Sequence, residues 1–249
     1  MTTIVELSEL AQAVYDGKRT VVSVQLKNSV AVWRRVNTWK TWSFYAGLYS
    51  KDVGGDEFLV LAYRGTDDAV DLLRDDAMLL AHAPPPQLMD ALNVPVPKPK
   101  LVKLPPVNLK TFRVKLTPIT RVNLPENMID RRPIITGHSL GGALAVFRAR
   151  TAGLPAVTFN APGNQLMHVG GAARDIQNIR VGGDIVSSGA TGAIAGGTTD
   201  LKDTRRFYDL LGKHSISTCV KLVRGMSSYY DDMTVGAGTA IAYESNIRR

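Results

Sequence analysis

The chain's 249 residues, 45% of them hydrophobic, suffice for one globular α/β domain with a full core over residues 1–249. A single cysteine, Cys219, excludes an internal disulfide and suits a reducing compartment, while no apolar run approaches the roughly 20 residues that span a bilayer. The net charge of +8 is concentrated: residues 93–125 hold five lysines, two arginines and no acid (+7), leaving 23 basic against 22 acidic residues (+1) elsewhere.

Residues 1–10 have neither the basic start nor the apolar run of a secretory signal, so the expected location is cytoplasmic, with signal-independent secretion left open. Residues 4–16 have helical spacing, with Ile4, Leu7, Leu10, Ala11 and Val14 on one face. Trp33, Trp39 and Trp42 then fall close together and are expected to form a core or wall cluster. Residues 44–49 and 58–63 read as two strands joined through Gly54-Gly55-Asp56, a hairpin. Asp71 to Leu80 reads as a helix stopped by Pro84-Pro85-Pro86.

The basic segment 93–125 also holds seven prolines. It is expected to be an insertion in the core domain, either a cap over the site mouth or a solvated loop, with Phe112 to Leu116 as an edge strand or hairpin. Its charge suits an anionic membrane surface. Nucleic acid is not an expected partner, because no nucleic-acid motif is present and Phe112 is the segment's one stacking aromatic.

Core elements resume at residue 133. Pro133 to Thr136 is an apolar, β-branched strand, Gly137-His138-Ser139-Leu140-Gly141-Gly142 follows, and Ala143 to Arg150 reads as a helix ended by Gly153 and Pro155. Strand, Gly-x-Ser-x-Gly and helix in that order are the context of a nucleophile elbow. There a serine projects from a sharp turn, and glycines let strand and helix approach. The other reading is a glycine-rich turn with a bystander serine. Residues 156–160 form another strand, and Asn178 to Val181 form a third, ending in Gly182-Gly183-Asp184. Residues 187–200 are rich in Gly, Ala, Ser and Thr and read as a loop; the stretch from Ser215 onward gives no chemical signal.

A serine nucleophile needs a base, and the base needs an orienting carboxylate. Two histidines follow Ser139: His168 precedes the strand that would carry the acid, which leaves His214 as the base. Asp184, just past a strand, is the first candidate acid and Asp203 the second. Asp175 reads as helical, and Asp200 and Asp203 read as having no strand before them. The oxyanion donors are expected to be the N–H of Leu140, at the start of the elbow helix, and that of Thr66, in the loop Tyr63-Arg64-Gly65-Thr66. Arg64 is expected to pair with Asp75 or Asp76.

The set Tyr63 to Thr66, Asp71 to Asp75, Thr136 to Gly142 and Thr158 to Pro162 resembles class 3 lipases, the fungal-lipase-like α/β-hydrolases, over roughly residues 44–215. The resemblance implies an α/β-hydrolase fold, a mostly parallel central sheet flanked by helices. It implies hydrolysis of lipid esters without cofactor or metal. It places the triad on Ser139, Asp184 and His214 and the oxyanion hole on Thr66 and Leu140. Where the family often has an amphipathic lid helix, this chain has Ala81 to Pro86 followed by the basic insertion. Neutral acylglycerols or short esters are the leading substrate expectation. A phospholipase A-type, membrane-directed effector is the alternative, and a non-catalytic binding module is the third.

Overall fold

A computed structural model describes residues 2–66, 85–96, 132–163, 175–188, 195–203 and 210–230. Its first element, α1 (Ile4–Ala13), starts at a capping box: Thr3 Oγ1 accepts from the Glu6 N–H, and Glu6 Oε2 accepts from the Thr3 N–H. Such caps contribute about 1 kcal/mol.

Among the described residues eight strands follow, β1 (Val21–Gln25), β2 (Val30–Lys40), β3 (Tyr45–Val53), β4 (Asp56–Tyr63), β5 (Ile134–His138), β6 (Ala156–Phe159), β7 (Ile176–Val181) and β8 (Gly197–Leu201), and they lie in one sheet in chain order. The pairings from β1 to β4 are antiparallel and those from β4 to β8 parallel. The sheet is therefore mixed, with its parallel half carrying the elbow.

Turn chemistry explains the antiparallel half. Gly54 and Gly55 have φ of 63° and 90°, which closes the two-residue hairpin between Val53 and Asp56. Alternation does the same for β1 and β2. Val22, Val24, Ala31 and Trp33 point into the core, whereas Val21, Val30 and Val32 are exposed. These two strands escape the sequence reading, which sees only the tryptophans. Those do not cluster either. Trp33 is fully buried, Trp39 packs from the margin of the core on the other face, and Trp42 is 90% exposed beyond β2.

The helices cover both faces. On one side lie α2 (Pro85–Asn93) and α3 (Leu140–Ala152), packed on Leu48, Leu59, Leu61, Tyr63 and Ile135. On the other lie α1 and, after the short helices α4 (Ile185–Ser188) and α5 (Leu210–His214), α6 (Ile216–Arg224), packed on Trp33, Tyr49, Val60, Ala62 and Phe159. Pro85 and Pro86 open α2, since a proline at the first helical position gives up no intrahelical donor. The expected helix Asp71 to Leu80, the expected Asp75 and Asp76 partners of Arg64, His168 and almost all of the basic insertion lie outside the described residues.

Three further expectations change. Part of the Gly/Ser/Thr-rich stretch is the edge strand β8, held to β7 by the backbone ladder, by Gln177 Nε2 donating to Thr199 at 2.6 Å and by the Arg180–Asp200 ion pair at 2.7 Å. Asp200 thus lies within a strand, and Asp203 two residues beyond it. Asp175 is not helical; it immediately precedes β7, where its carbonyl accepts from the Ala156 N–H. The stretch from Ser215 onward supplies α6, whose Cys219 is a buried thiol in the core. Among the described residues, no helix is long and apolar enough to cross a membrane.

A buried ion pair joins α1 to the sheet. Glu6 Oε1 accepts from Lys51 Nζ at 2.5 Å and from Trp33 Nε1 at 3.0 Å. Burying two charges costs solvation, which these bonds, together with the Thr3 N–H, offset.

Candidate active site

Ser139 occupies the turn between β5 and α3. Its φ of 56° and ψ of −131° lie far from ordinary backbone, a distortion worth roughly 1–3 kcal/mol that the surrounding structure must hold. Three bonds fix the turn. The Ser139 N–H donates to the Phe159 carbonyl on β6 at 3.0 Å, and the Ser139 carbonyl accepts from Gly142 and Ala143. Close approach explains the flanking glycines. A Cβ on Gly137 would strike the Gly141 carbonyl, and one on Gly141 would strike the Tyr63 carbonyl and lie 2.7 Å from Gly65 N. The elbow therefore sits directly against the loop that leaves β4.

The Ser139 hydroxyl does not cap its own helix; Oγ is 2.8 Å from His214 Nε2. On the far side of that ring, Nδ1 lies 3.1 Å from both carboxylate oxygens of Asp184. A carboxylate only accepts, so His214 Nδ1–H donates to Asp184, leaving Nε2 to accept the Ser139 hydroxyl proton. All three residues are buried, with 2% exposure or less. Ser139, Asp184 and His214, widely separated in sequence, are thus brought into one hydrogen-bonded row. Asp200 and Asp175 stand elsewhere.

Burial works to raise the pKa of the Asp184 carboxyl, but hydrogen bonds from His214, Ser187 and Val186 outweigh it and hold the group below the usual carboxylate range. The N–H groups of Val186 and Ser187, in the first turn of α4, each donate to the carboxylate at 3.2 Å, so Asp184 caps that helix while it faces His214. Rigid scaffolding thereby aims the carboxylate.

His214 ends α5, and its backbone is held as well. Asn160, at the end of β6 with φ of 48°, donates from Nδ2 to the carbonyls of Lys213 at 3.0 Å and His214 at 3.2 Å, while its Oδ1 accepts from the Val181 N–H. His138 Nε2 reaches the same His214 carbonyl at 2.6 Å, and His138 Nδ1 lies 3.1 Å from the Tyr15 hydroxyl. Burial, then the neighbouring His214, pushes His138 down to about 3, so this ring is neutral at any working pH. Sequence reasoning gave no structural task to Asn160, His138 or Tyr15. A signal existed only for Asn160: asparagine after a strand tolerates left-handed backbone.

Of the two expected oxyanion donors, Leu140 is the first residue of α3, where N–H groups have no intrahelical acceptor and the helix dipole is positive. Thr66 is exposed and follows Gly65, which packs against the elbow. Arg64 lays its guanidinium over the Tyr45 ring, 5.2 Å from its centre. Among the described residues, no group of three His, Cys, Asp or Glu side chains converges on a metal-sized site.

No family model matches the chain. A stretch of 32 residues is 72% identical to a protein of Eremothecium gossypii, 69% identical to one of Candida glabrata and 66% identical to one of Saccharomyces cerevisiae, each named "Putative lipase ATG15". That stretch is 13% of this chain and 6% of each of those proteins. Among solved structures, a lipase of Rhizopus microsporus var. chinensis aligns with a TM-score of 0.41 at 13% identity over 86% of this chain and 82% of its own. A triacylglycerol lipase of Penicillium expansum aligns with a TM-score of 0.39 at 14% identity over 79% of this chain and 77% of its own. The mixed eight-stranded sheet flanked by helices is an α/β-hydrolase fold.

Proposed function

We propose that this chain is a serine carboxylic-ester hydrolase that acts on lipid esters through Ser139, His214 and Asp184. One observation carries the reading: a hydroxyl on a strained strand-to-helix turn donates to an imidazole whose other nitrogen is held by a carboxylate. Strain and burial at such a turn have a cost, and chemistry on the serine is what they would serve.

In this reaction the Ser139 oxygen attacks the ester carbonyl carbon while its proton passes to His214 Nε2. The carbonyl π electrons move to oxygen, and the N–H groups of Leu140 and Thr66 receive the negative charge. Collapse expels the alcohol, which takes the proton from His214 and leaves an acyl-Ser139. Water then attacks the acyl carbon and gives its proton to the same ring. Breakdown returns the proton to Ser139 and releases the acid. Asp184 keeps its charge throughout, which holds Nδ1–H in place and stabilises the imidazolium. Neutral acylglycerols or short esters are the leading substrates within this class; the names of the proteins that share the 32-residue stretch support lipid esters as the class.

A second reading has its own observation. The +7 segment 93–125, read as an insertion in the hydrolase domain, suits an anionic bilayer at about 1 kcal/mol per basic residue near the surface. It would make the chain a phospholipase A-type enzyme directed to membranes. Labelling with a fluorophosphonate tests both: a covalent adduct on Ser139 supports an activated serine, whereas a folded protein that stays unlabelled points to a binding module. Release of fatty acid from phosphatidylglycerol vesicles or from tributyrin then separates the two substrates.

A further inference from the structure

We propose that Tyr15 is a positioning residue, whose hydroxyl ties the loop after β4 to the His138 ring and, through that ring, to the backbone that carries His214. The proposal rests on the serine-hydrolase reading above, because it assigns Tyr15 a task in holding that machinery.

The chain of bonds has one consistent direction. The Gly65 N–H donates to Tyr15 Oη at 3.2 Å. Tyr15 Oη lies 3.1 Å from His138 Nδ1, and His138 Nε2 lies 2.6 Å from the His214 carbonyl. A carbonyl only accepts, so Nε2 carries the hydrogen. The ring is neutral, because burial and the neighbouring His214 oppose its protonation. Nδ1 is then an acceptor, so the Tyr15 O–H donates to it and keeps its own oxygen lone pair for Gly65. Each polar atom on the path has a partner of the right kind, as a buried network requires.

The path joins three parts that the sequence keeps far apart. Tyr15 follows α1, Gly65 precedes the expected oxyanion donor Thr66, and His138 is next to Ser139. Contact is tight at the junction: a Cβ on Gly65 would lie 2.7 Å from Tyr15 Oη and 2.6 Å from the His138 carbonyl. The phenol ring also meets the His138 ring edge-on at 6.1 Å between centres. A side chain that only filled space here would serve as well without its oxygen. The oxygen instead sets the distance between the loop and the elbow. An oxyanion donor stabilises the transition state only when aimed before charge develops, so slack in this loop reduces kcat more than it changes substrate binding.

Tyr15→Phe keeps the ring and removes one oxygen. Three measurements test it: kcat and KM on p-nitrophenyl butyrate, the number of active sites by complete fluorophosphonate labelling, and hydrogen exchange at the Gly65 amide with the His138 ring-nitrogen shifts by NMR. The expected result is a kcat per labelled site about 10- to 100-fold lower, with KM within about twofold of wild type. The Gly65 amide exchanges faster, and the His138 Nδ1 resonance moves. A wild-type kcat per labelled site overturns the proposal. So does a loss of labelled sites with normal turnover at those that remain, the signature of a merely structural residue. If the wild type shows no Ser139-dependent hydrolysis, the serine-hydrolase reading falls by itself. The NMR readouts then decide for Tyr15: unchanged Gly65 exchange and His138 shifts overturn the proposal.

Discussion

Asp184 presents both carboxylate oxygens to His214 Nδ1 at 3.1 Å and, with the same two oxygens, caps the first turn of α4. The group that faces the imidazole is thus held by a helix of its own. Asp184→Asn would retain one of the cap's two acceptor oxygens but lose the charge and favour the wrong imidazole tautomer. The expected outcome is a kcat on p-nitrophenyl butyrate reduced about 10⁴-fold with little change in melting temperature. Near-normal turnover would move the acid role to Asp203.

Stability at mildly acidic pH should depend on His138. Its folded pKa is pushed down to about 3, whereas the unfolded imidazole titrates near its ordinary 6.5. Between those values the unfolded chain binds one proton that the folded chain does not. Stability is therefore fully present above about pH 6.5 and declines as pH falls toward 3, by up to about 1.4 kcal/mol per pH unit. Urea unfolding of wild type and His138→Gln at pH 7.5 and pH 4.5 checks this: the variant should lose less stability over the interval. Asp184 acts in the same direction at lower pH. Its depressed pKa contributes stability that is present above the ordinary carboxylate range and is lost as pH falls through the folded value.

Glu6→Gln should destabilise the fold without touching the site. The amide leaves Lys51 buried beside Trp33 with its carboxylate gone, a loss of roughly 3–5 kcal/mol for a broken buried pair. Denaturant unfolding gives the magnitude. Turnover per fluorophosphonate-labelled site should stay at the wild-type level.

Deleting residues 98–116 tests the membrane reading. Cosedimentation with phosphatidylglycerol vesicles should weaken strongly and lose its salt dependence, while hydrolysis of a soluble ester is retained. Equal losses in both would make the segment part of the active-site wall.

The parts of the fold that were legible in the sequence are those with local signals. The elbow carries its own glycines, β3 and β4 carry paired glycines between apolar runs, and α1 carries a periodic apolar face. What stayed illegible depends on partners distant in the chain. β8 reads as loop because an edge strand can be held by its neighbour's backbone and by Arg180 rather than by an apolar pattern. The tryptophans read as a cluster because nearness in sequence says nothing of which face of the sheet each one takes. Ser139, Asp184 and His214 could be ordered from strand ends and elimination, and the structure brings these three residues together. Asn160, His138 and Tyr15 support them through backbone carbonyls and single hydroxyl contacts, which leave no mark on spacing and, Asn160 apart, none on residue type.

The most direct test of the central claim is hydrolysis of p-nitrophenyl esters of short and long acyl chains by wild type and Ser139→Ala side by side. The account predicts turnover by the wild type and a loss of about 10⁶-fold in kcat for the variant, with the fold unchanged. Equal rates in the two proteins, or a folded wild type inert toward esters of every chain length and toward phospholipid, would contradict it.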